Sequence, residues 1–534
     1  MADTVNYAES ILAHMRGEYV FFLEFHHLLW RPIGWLSFMV IKPLAQWASG
    51  TADGRVGVVW TLMALNWLAG LGAVILVRAL LVLFCRRDLL ADIIAFTFVL
   101  SNGFLNYSQA GTSYISGLCL LLLCFYLLLK SGKQEKSNWL SGVGAGLALA
   151  GTLSLWAPYV LAAPAALLSP LLFCGFDKTR FRLTLVASIT CALVAGAIFG
   201  SVALYLGLVD TAGFRQWMGI SSVSGSQING IARVLFGFPR SIMNMGQDAP
   251  LFKRYLVHDP FNPVSLPDLV QLSLWKLGLF YVFLAAMLGS LLFSSRGRRV
   301  FALFLLNAFP VVLFAIFFYG ADMERYLGLY PTLFISLGCA LCSDKARTVL
   351  KWLALLFLAA VAISNIGGAS KIVLQKQEEK VFARIKDLQP VLKPQSYVVT
   401  VDLSEELSNF NRTYLFNPVN IKYQLRIYSL LSLNTAQVTR WRESFAVQAL
   451  SIWQGGGEVW VTKRVKSPIP RSEWNWVEGD DPQVSWTDVH KFFESLEMSA
   501  SVGGDDGFLL LSASPENERL LRVLADNELR GVVK

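Results

Sequence analysis

The stretch "VGVVWTLMALNWLAGLGAVILVRALLVLFCRR", residues 56–87, decides the fold. From Val56 to Cys85 its one charged side chain is Arg78, and Arg86 and Arg87 follow directly. As a helix, such a run is longer than the roughly 30 Å hydrocarbon core of a bilayer. A basic pair placed just after it marks that end as cytoplasmic. The run reads as a transmembrane helix, and the rest of the chain is read outward from it.

The whole chain fits that reading. It has 534 residues, 54% hydrophobic and only 16% charged, with a mean hydropathy of +0.50. A soluble domain would carry charge at about 25% of its positions. Nine further apolar runs follow, near 89–105, 112–130, 138–156, 157–174, 183–207, 271–293, 300–320, 327–342 and 348–366, so about ten spans are expected. Basic residues cluster at alternate junctions: Arg86/Arg87, Lys130/Lys133/Lys136, Lys178/Arg180/Arg182, Arg296/Arg298/Arg299 and Lys345/Arg347. These loops read as cytoplasmic. The net charge of +9 therefore sets topology and does not point to nucleic acid. All seven cysteines lie in or beside apolar runs, so the polar C-terminal region has no disulfide framework. The start, "MADTVNYAESILAHMRGEYV", is not a signal peptide, because no apolar core follows a basic segment.

The opposite face then receives residues 1–55, a loop near 104–111, the long loop 208–270, the turn "GADMERY" (320–326) and everything after about 367. The run 30–48 is apolar, but Arg31, Pro32, Lys42 and Pro43 interrupt it. A rival reading makes it a true span with the N-terminus cytoplasmic, but it is expected to lie along the interface. The span at 56 then enters from outside, and a first transmembrane helix is expected upstream of Met1. Three regions follow: an outer-face segment with juxtamembrane helices (1–55), a transmembrane bundle (56–366), and a small extracytoplasmic α/β domain (367–534). In that domain "SYVVTVDL", "GEVWVTKRV" and "GFLLLSAS" read as strands, and "TDVHKFFESLE" and "PENERLLRVLADNEL" as helices. No nucleotide-binding glycine motif is present, and the glycines at 455–457 read as a turn.

Chemistry is sought among polar residues of the outward segments. Asp3, Tyr7, Glu9, His14, Glu24, His26, His27 and Arg31 crowd the start of the chain. On a helix Asp3 and Tyr7 share a face, as do Glu24 and His27. His26 and His27 are adjacent and point about 100° apart, whereas a helical metal pair needs wider spacing. No metal or other cofactor is expected. The bland reading of this group is an interfacial helix with its charges in water. In the turn 320–331, Asp322, Glu324 and Arg325 sit between two apolar runs. Arg325 gains nothing from the positive-inside bias there. It either pairs with a neighbouring carboxylate or grips a phosphate. Asn102, Asn106, Tyr107, Gln109 and Tyr114 could line a polar cavity, and the 208–270 loop carries Arg233, Arg240, Lys253 and Arg254.

The order of these features resembles the GT-C membrane glycosyltransferases, particularly the protein O-mannosyltransferase and aminoarabinose transferase branch. An acidic residue opens the first outer loop ("DTVNY"). An interfacial "HHLLWRPIGWL" follows, then a span ending in double arginine, a tyrosine-bearing second outer loop, and late in the bundle "ERYLGLYPTLF". The resemblance covers about residues 1–366. It implies an all-α polytopic bundle with a small C-terminal α/β domain, its family's first helix missing here. It implies a plasma- or inner-membrane enzyme that moves a sugar from a polyprenyl-phosphate donor to an acceptor hydroxyl on a glycan, lipid or protein at the extracytoplasmic face. Asp3 would be the catalytic acid. Arg325, Arg254 and Lys253 would hold the donor phosphate. Glu24, His26, His27, Tyr107, Gln109, Tyr114 and Glu324 would contact substrate; Gln109 stands near the place of an arginine often seen in the family. Two other classes compete: a lipid or polysaccharide transporter, which needs polar groups such as Asn66 and Asn307 at depth, and a non-catalytic membrane scaffold.

Overall fold

The structure, a computed structural model, describes residues 2–17, 22–49, 54–84, 88–134, 138–208, 210–219, 230–245, 265, 274–318, 320, 322–342, 348–374, 388–393, 396–400, 426–429, 441–467, 486–504 and 507–532. It divides into a unit of residues 3–249 with 270–370 and a second unit that includes 371–534.

In the first unit the helices are α1 (Ala2–Met15), α2 (Trp30–Ser49), α3 (Gly54–Phe84), α4 (Asp88–Leu100), α5 (Asn102–Ser108), α6 (Tyr114–Gly132), α7 (Trp139–Leu155), α8 (Ala163–Cys174), α9 (Lys178–Tyr205), α10 (Thr211–Gly219), α11 (Gly230–Ile242), α12 (Leu274–Leu291), α13 (Ser295–Phe317), α14 (Tyr330–Leu341) and α15 (Thr348–Leu374). Each of the ten expected spans is helical, but fewer are long enough to cross. Among the described residues six helical segments pass by length and hydropathy, and a seventh if α4 and α5, bent by 62°, count as one. The apolar helices at 139–155 and 275–291 are shorter, and α14 has 12 residues. At 1.5 Å per residue α14 covers about 18 Å, well short of a bilayer core. Hydropathy reports an apolar environment, and a short helix buried inside a bundle meets that condition as well as a spanning one. This is a multi-pass membrane protein whose core includes short helices.

Small residues explain the close approach of α7 to α9. Gly142 and Gly146 of α7 face α9. A Cβ at Gly146 would sit 2.6 Å from the Ala187 carbonyl oxygen, and one at Gly142 would sit 3.1 Å from that of Leu183. Glycine permits this approach, and any larger residue would push the helices apart.

The segment 22–36 does not form one helix. Phe25–His27 is a single 3-10 turn with Glu24 at its N-cap position. α2 begins at Trp30 and runs for 20 residues through Pro43. Trp30 and Phe38 are buried against the bundle, while Leu36, Met39, Val40, Leu44 and Trp47 are exposed. α2 thus packs one apolar face on the bundle and turns a second one outward. The charges at 24–31 depart from the bland expectation, because Glu24 and Arg31 pair inside the protein and not in water.

The described members of the basic clusters lie at one end of the helices. Lys133 follows α6, Arg180 opens α9, and Arg296 opens α13. The C-terminal ends of α5 and α7 and the turn Met323–Leu329 lie at the other end.

The second unit is built on a five-stranded sheet of β1 (Tyr397–Thr400), β2 (Arg426–Ser429), β3 (Val459–Thr462), β4 (Met498–Val502) and β5 (Phe508–Leu511), ordered β2-β1-β3-β5-β4. β1 runs parallel to β2 and β3, while β5 is antiparallel to β3 and β4. Helices α16 (Trp441–Gln454), α17 (Trp486–Glu494) and α18 (Pro515–Val532) accompany it. β2, β4 and α16 are additions to the sequence reading. β4 is mostly exposed, and its short Met-Ser-Ala-Ser-Val alternation is built on small residues, which makes a weak strand signal. Trp441 and Trp460 are buried in the core of this unit. The glycines at 455–457 form the turn between α16 and β3, with Gly456 at φ 77°.

Candidate functional site

Two buried asparagines set the loops of the site. Asn66, within α3, donates through Nδ2 to the carbonyls of Tyr107 and Ala110, each at 2.6 Å. Its Oδ1 accepts from Ser116 Oγ at 3.2 Å. Asn307, within α13, donates to the Gly328 carbonyl at 2.8 Å and to Thr332 Oγ1 at 2.9 Å. An amide buried in an apolar helix must find partners or cost free energy. Here the partners are the two loops that present Tyr107 and Glu324. Such groups could equally mark a transport path, but these hydrogen bonds make them clamps. Further ties hold loop 107–113: Trp30 Nε1 donates to the Gly111 carbonyl at 2.9 Å, and the Gly111 N–H donates to Thr4 Oγ1 at 2.9 Å.

These loops close a cavity of about 570 Å³, lined by residues that include Asp3, Tyr7, Glu24, His26, His27, Arg31, Tyr107, Tyr114, Trp156, Asp322, Glu324 and Arg325. Of the expected site residues, Asp3, Glu24, His26, His27, Tyr107, Tyr114, Glu324 and Arg325 are thus brought together from separate parts of the chain. Gln109 is exposed and does not line the cavity. Lys253 and Arg254 lie outside the described residues. Arg233 and Arg240 of α11 act on Asp322 electrostatically. Arg31, Tyr7, Asp322 and Trp156 had no role assigned from sequence. Arg31 was visible as a charge breaking an apolar run. Trp156, at the end of α7 and followed by Ala157 and Pro158, carried no signal beyond an interfacial aromatic.

Two tyrosine–carboxylate couples stand side by side. Tyr107 Oη donates to Glu324 Oε2. Tyr114 Oη donates to Asp3 Oδ2 at 3.3 Å. The two rings meet edge to face with centroids 5.0 Å apart. Glu324 is buried and Asp3 is exposed. Burial, reinforced by the neighbouring Asp322 carboxylate, pushes Glu324 up to about 7. Burial also raises Asp322, against the pull of Arg325 and Arg240.

The cations are poorly satisfied. Arg31 Nη2 lies 2.5 Å from Glu24 Oε2, with side chains 5% and 11% exposed. Its guanidinium carbon sits 4.7 Å from the centroid of the Tyr7 ring. Yet Arg31 Nε and Nη1 have no hydrogen-bond partner among the described residues, and neither does Arg325 Nε. Arg325 Nε is 3.9 Å from Glu324 Oε1, too far for a hydrogen bond. Unpaired N–H groups of buried guanidinium are costly, and an anion in the cavity is the partner that their fork fits.

The two histidines differ. His27 Nδ1 sits 2.7 Å from Ser113 Oγ, and burial pushes its imidazole down to about 4, so it is neutral at ordinary pH. His26 Nε2 lies 3.2 Å from the Met218 carbonyl of α10. A carbonyl only accepts, so the proton sits on Nε2 and Nδ1 is left as an acceptor without a partner among the described residues. No group of three or more His, Cys, Asp or Glu side chains is arranged to hold a metal among the described residues.

No family model matches the chain, and no curated protein matches it. Among solved structures it is similar to ArnT from Cupriavidus metallidurans in the apo state, at 12% identity and a TM-score of 0.40, over 96% of this chain and 94% of that one. It is similar also to ArnT from the same organism bound to undecaprenyl phosphate, at 11% identity and a TM-score of 0.38 over the same shares. Both likenesses extend over nearly the full length of the chain.

Proposed function

We propose that the protein is a membrane glycosyltransferase that moves a sugar from a polyprenyl-phosphate donor to an acceptor hydroxyl at the extracytoplasmic face. One observation carries this reading. One cavity at the end of the bundle away from the basic loops combines carboxylates held by tyrosines with Arg31 and Arg325, whose Nε atoms, and Nη1 of Arg31, lack hydrogen-bond partners among the described residues. Carboxylates suit hydroxyl activation, and guanidinium suits phosphate.

In the proposed reaction Asp3 accepts the proton of the acceptor hydroxyl. The hydroxyl oxygen bonds to the anomeric carbon as the bond from that carbon to the phosphate oxygen breaks. Direct attack inverts the configuration, and polyprenyl phosphate leaves with the bonding electrons. Arg325 and Arg31 stabilise the charge growing on the phosphate. His26 Nδ1 and the Glu324–Tyr107 couple contact hydroxyl groups of the sugar or acceptor. Tyr114 holds Asp3 in place. The C-terminal α/β unit would share the extracytoplasmic side.

The test is sugar transfer from a polyprenyl-phosphate donor in membranes. Asp3→Asn is expected to lower turnover by about 10²–10⁴-fold, and Arg325→Ala by about 10²-fold. Transfer undiminished in both variants would sink the assignment. Absence of transfer by the wild-type chain from every polyprenyl-phosphate sugar tried would sink the reaction class.

A further inference from the structure

The end of the bundle opposite the cavity gathers cations more tightly than topology requires. Lys133 Nζ lies 5.3 Å from the Phe84 ring centroid and 5.9 Å from that of Phe173. The Arg296 guanidinium carbon lies 5.8 and 5.1 Å from the same two rings. The rings themselves pack edge to face at 4.4 Å. Two positive charges from α13 and the end of α6 thus share one aromatic pair from α3 and α8. Arg180 and Arg299 bracket the next turn: a Cβ at Gly175 would lie 3.8 Å from one guanidinium and 3.9 Å from the other. Against these four cations the described residues set one carboxylate in contact, Asp177, at 2.6 Å from Arg180. Burial and the Arg296 charge push the Lys133 ammonium down, as like charges brought together must.

The positive-inside rule accounts for basic residues in these loops. It does not account for separate segments aiming them at one pair of rings. Repulsion of this kind persists where an anion relieves it. The surroundings select the anion. α3, the segment 157–174, α9 and α13 are all long and apolar enough to cross a membrane, so their basic ends meet its surface. Phe176 and Phe293, close in sequence to these cations, are 78% and 70% exposed. Exposed aromatic rings beside a cationic nook fit a lipid better than a free phosphate.

We infer that Lys133, Arg180, Arg296 and Arg299 form a binding site for the phosphate headgroup of an anionic phospholipid, with Phe176 and Phe293 set among its acyl chains. The site is independent of the sugar-transfer reading. It makes the protein's stability responsive to the acidic lipid content of the leaflet that it faces.

The test uses the purified full chain in nanodiscs or mixed micelles. Phosphatidylglycerol is titrated and thermal unfolding followed, with phosphatidylcholine and inorganic phosphate as separate arms. Phosphatidylglycerol is expected to raise the unfolding temperature saturably, and the other two are not. Lys133→Gln with Arg296→Gln is expected to weaken the apparent affinity roughly 30-fold. Lys133→Arg, which keeps the charge, is expected to retain it, as is Lys42→Gln, which removes an exposed cation from α2. An unchanged phosphatidylglycerol titration in the double variant would overturn the site. Equal stabilisation by inorganic phosphate would overturn the lipid as its occupant.

Discussion

At the scale of single residues, Glu324 and Arg31 make opposite demands on the fold. Glu324 ordinarily titrates near 4.5 and is pushed up to about 7. The folded chain therefore keeps a proton that the unfolded chain releases between those values. Folding stability falls as pH rises through that window and levels off above it. Glu324→Gln abolishes this dependence. The variant is expected to gain on the wild type from pH 5 to about pH 7 in thermal unfolding and to hold that gain above it, and a constant difference from pH 5 to about pH 8 would contradict burial of an ionisable Glu324 as the cause. His27 titrates in the opposite sense, since its lowered value makes stability fall as pH drops below about 6.5. Comparing the variant with the wild type cancels that contribution. Arg31 poses the other problem, a buried charge paired with Glu24. Glu24→Gln strands that charge and is expected to cost about 3–5 kcal/mol. Replacing both partners, as Glu24→Gln with Arg31→Met, is expected to restore much of the stability but not sugar transfer. Denaturation and transfer assays on the same preparations separate the two effects.

At the scale of elements, polar side chains inside apolar helices do the positioning. Asn66→Leu removes the side-chain donor to the Tyr107 and Ala110 carbonyls, and Asn307→Leu removes the one to Gly328. Each is expected to cost about 1–3 kcal/mol and to lower transfer beyond what the lost stability explains. Gly146→Val forces a methyl-bearing carbon toward the Ala187 carbonyl and is expected to cost at least about 1–3 kcal/mol. These roles show where the sequence was legible and where it was not. The small residues of α7 are legible as a site of close packing, because spacing alone determines that a helix has a narrow face. The asparagines were visible as deep polar groups, but one sequence cannot tell a clamp from a transport site. Their meaning depends on which carbonyls lie opposite. The same limit hid Arg31. Its charge broke an apolar run, and its partner Glu24 lay seven residues away, across a turn and not along a helix face. The span count was legible only coarsely for a related reason, since α14 is short and buried among helices.

At the scale of the whole molecule, charge and chemistry occupy opposite ends of the bundle. The cavity gathers residues from segments that the alternation of basic loops assigns to the outer face, and the four-cation cluster gathers those assigned to the inner face. The order of motifs was enough to bring eight expected residues to one cavity, because helix ends on one side of a bilayer are forced into a common layer. Such a two-ended bundle can be tested without knowledge of its substrate. Gln109 is exposed at the cavity end, and Ser295 is exposed at the basic end. In a chain whose native cysteines are replaced, Gln109→Cys is expected to react with a membrane-impermeant maleimide in intact cells. Ser295→Cys is expected to react only after permeabilisation. A phosphatase fused after Lys534 is expected to be active outside, because α15 starts beside the basic segment Lys345/Arg347 and leads away from it. Labelling of both cysteines from the same side would break the two-ended arrangement. Reversed labelling would move the cavity to the cytoplasmic face, where nucleotide sugars are available and a polyprenyl donor is no longer required.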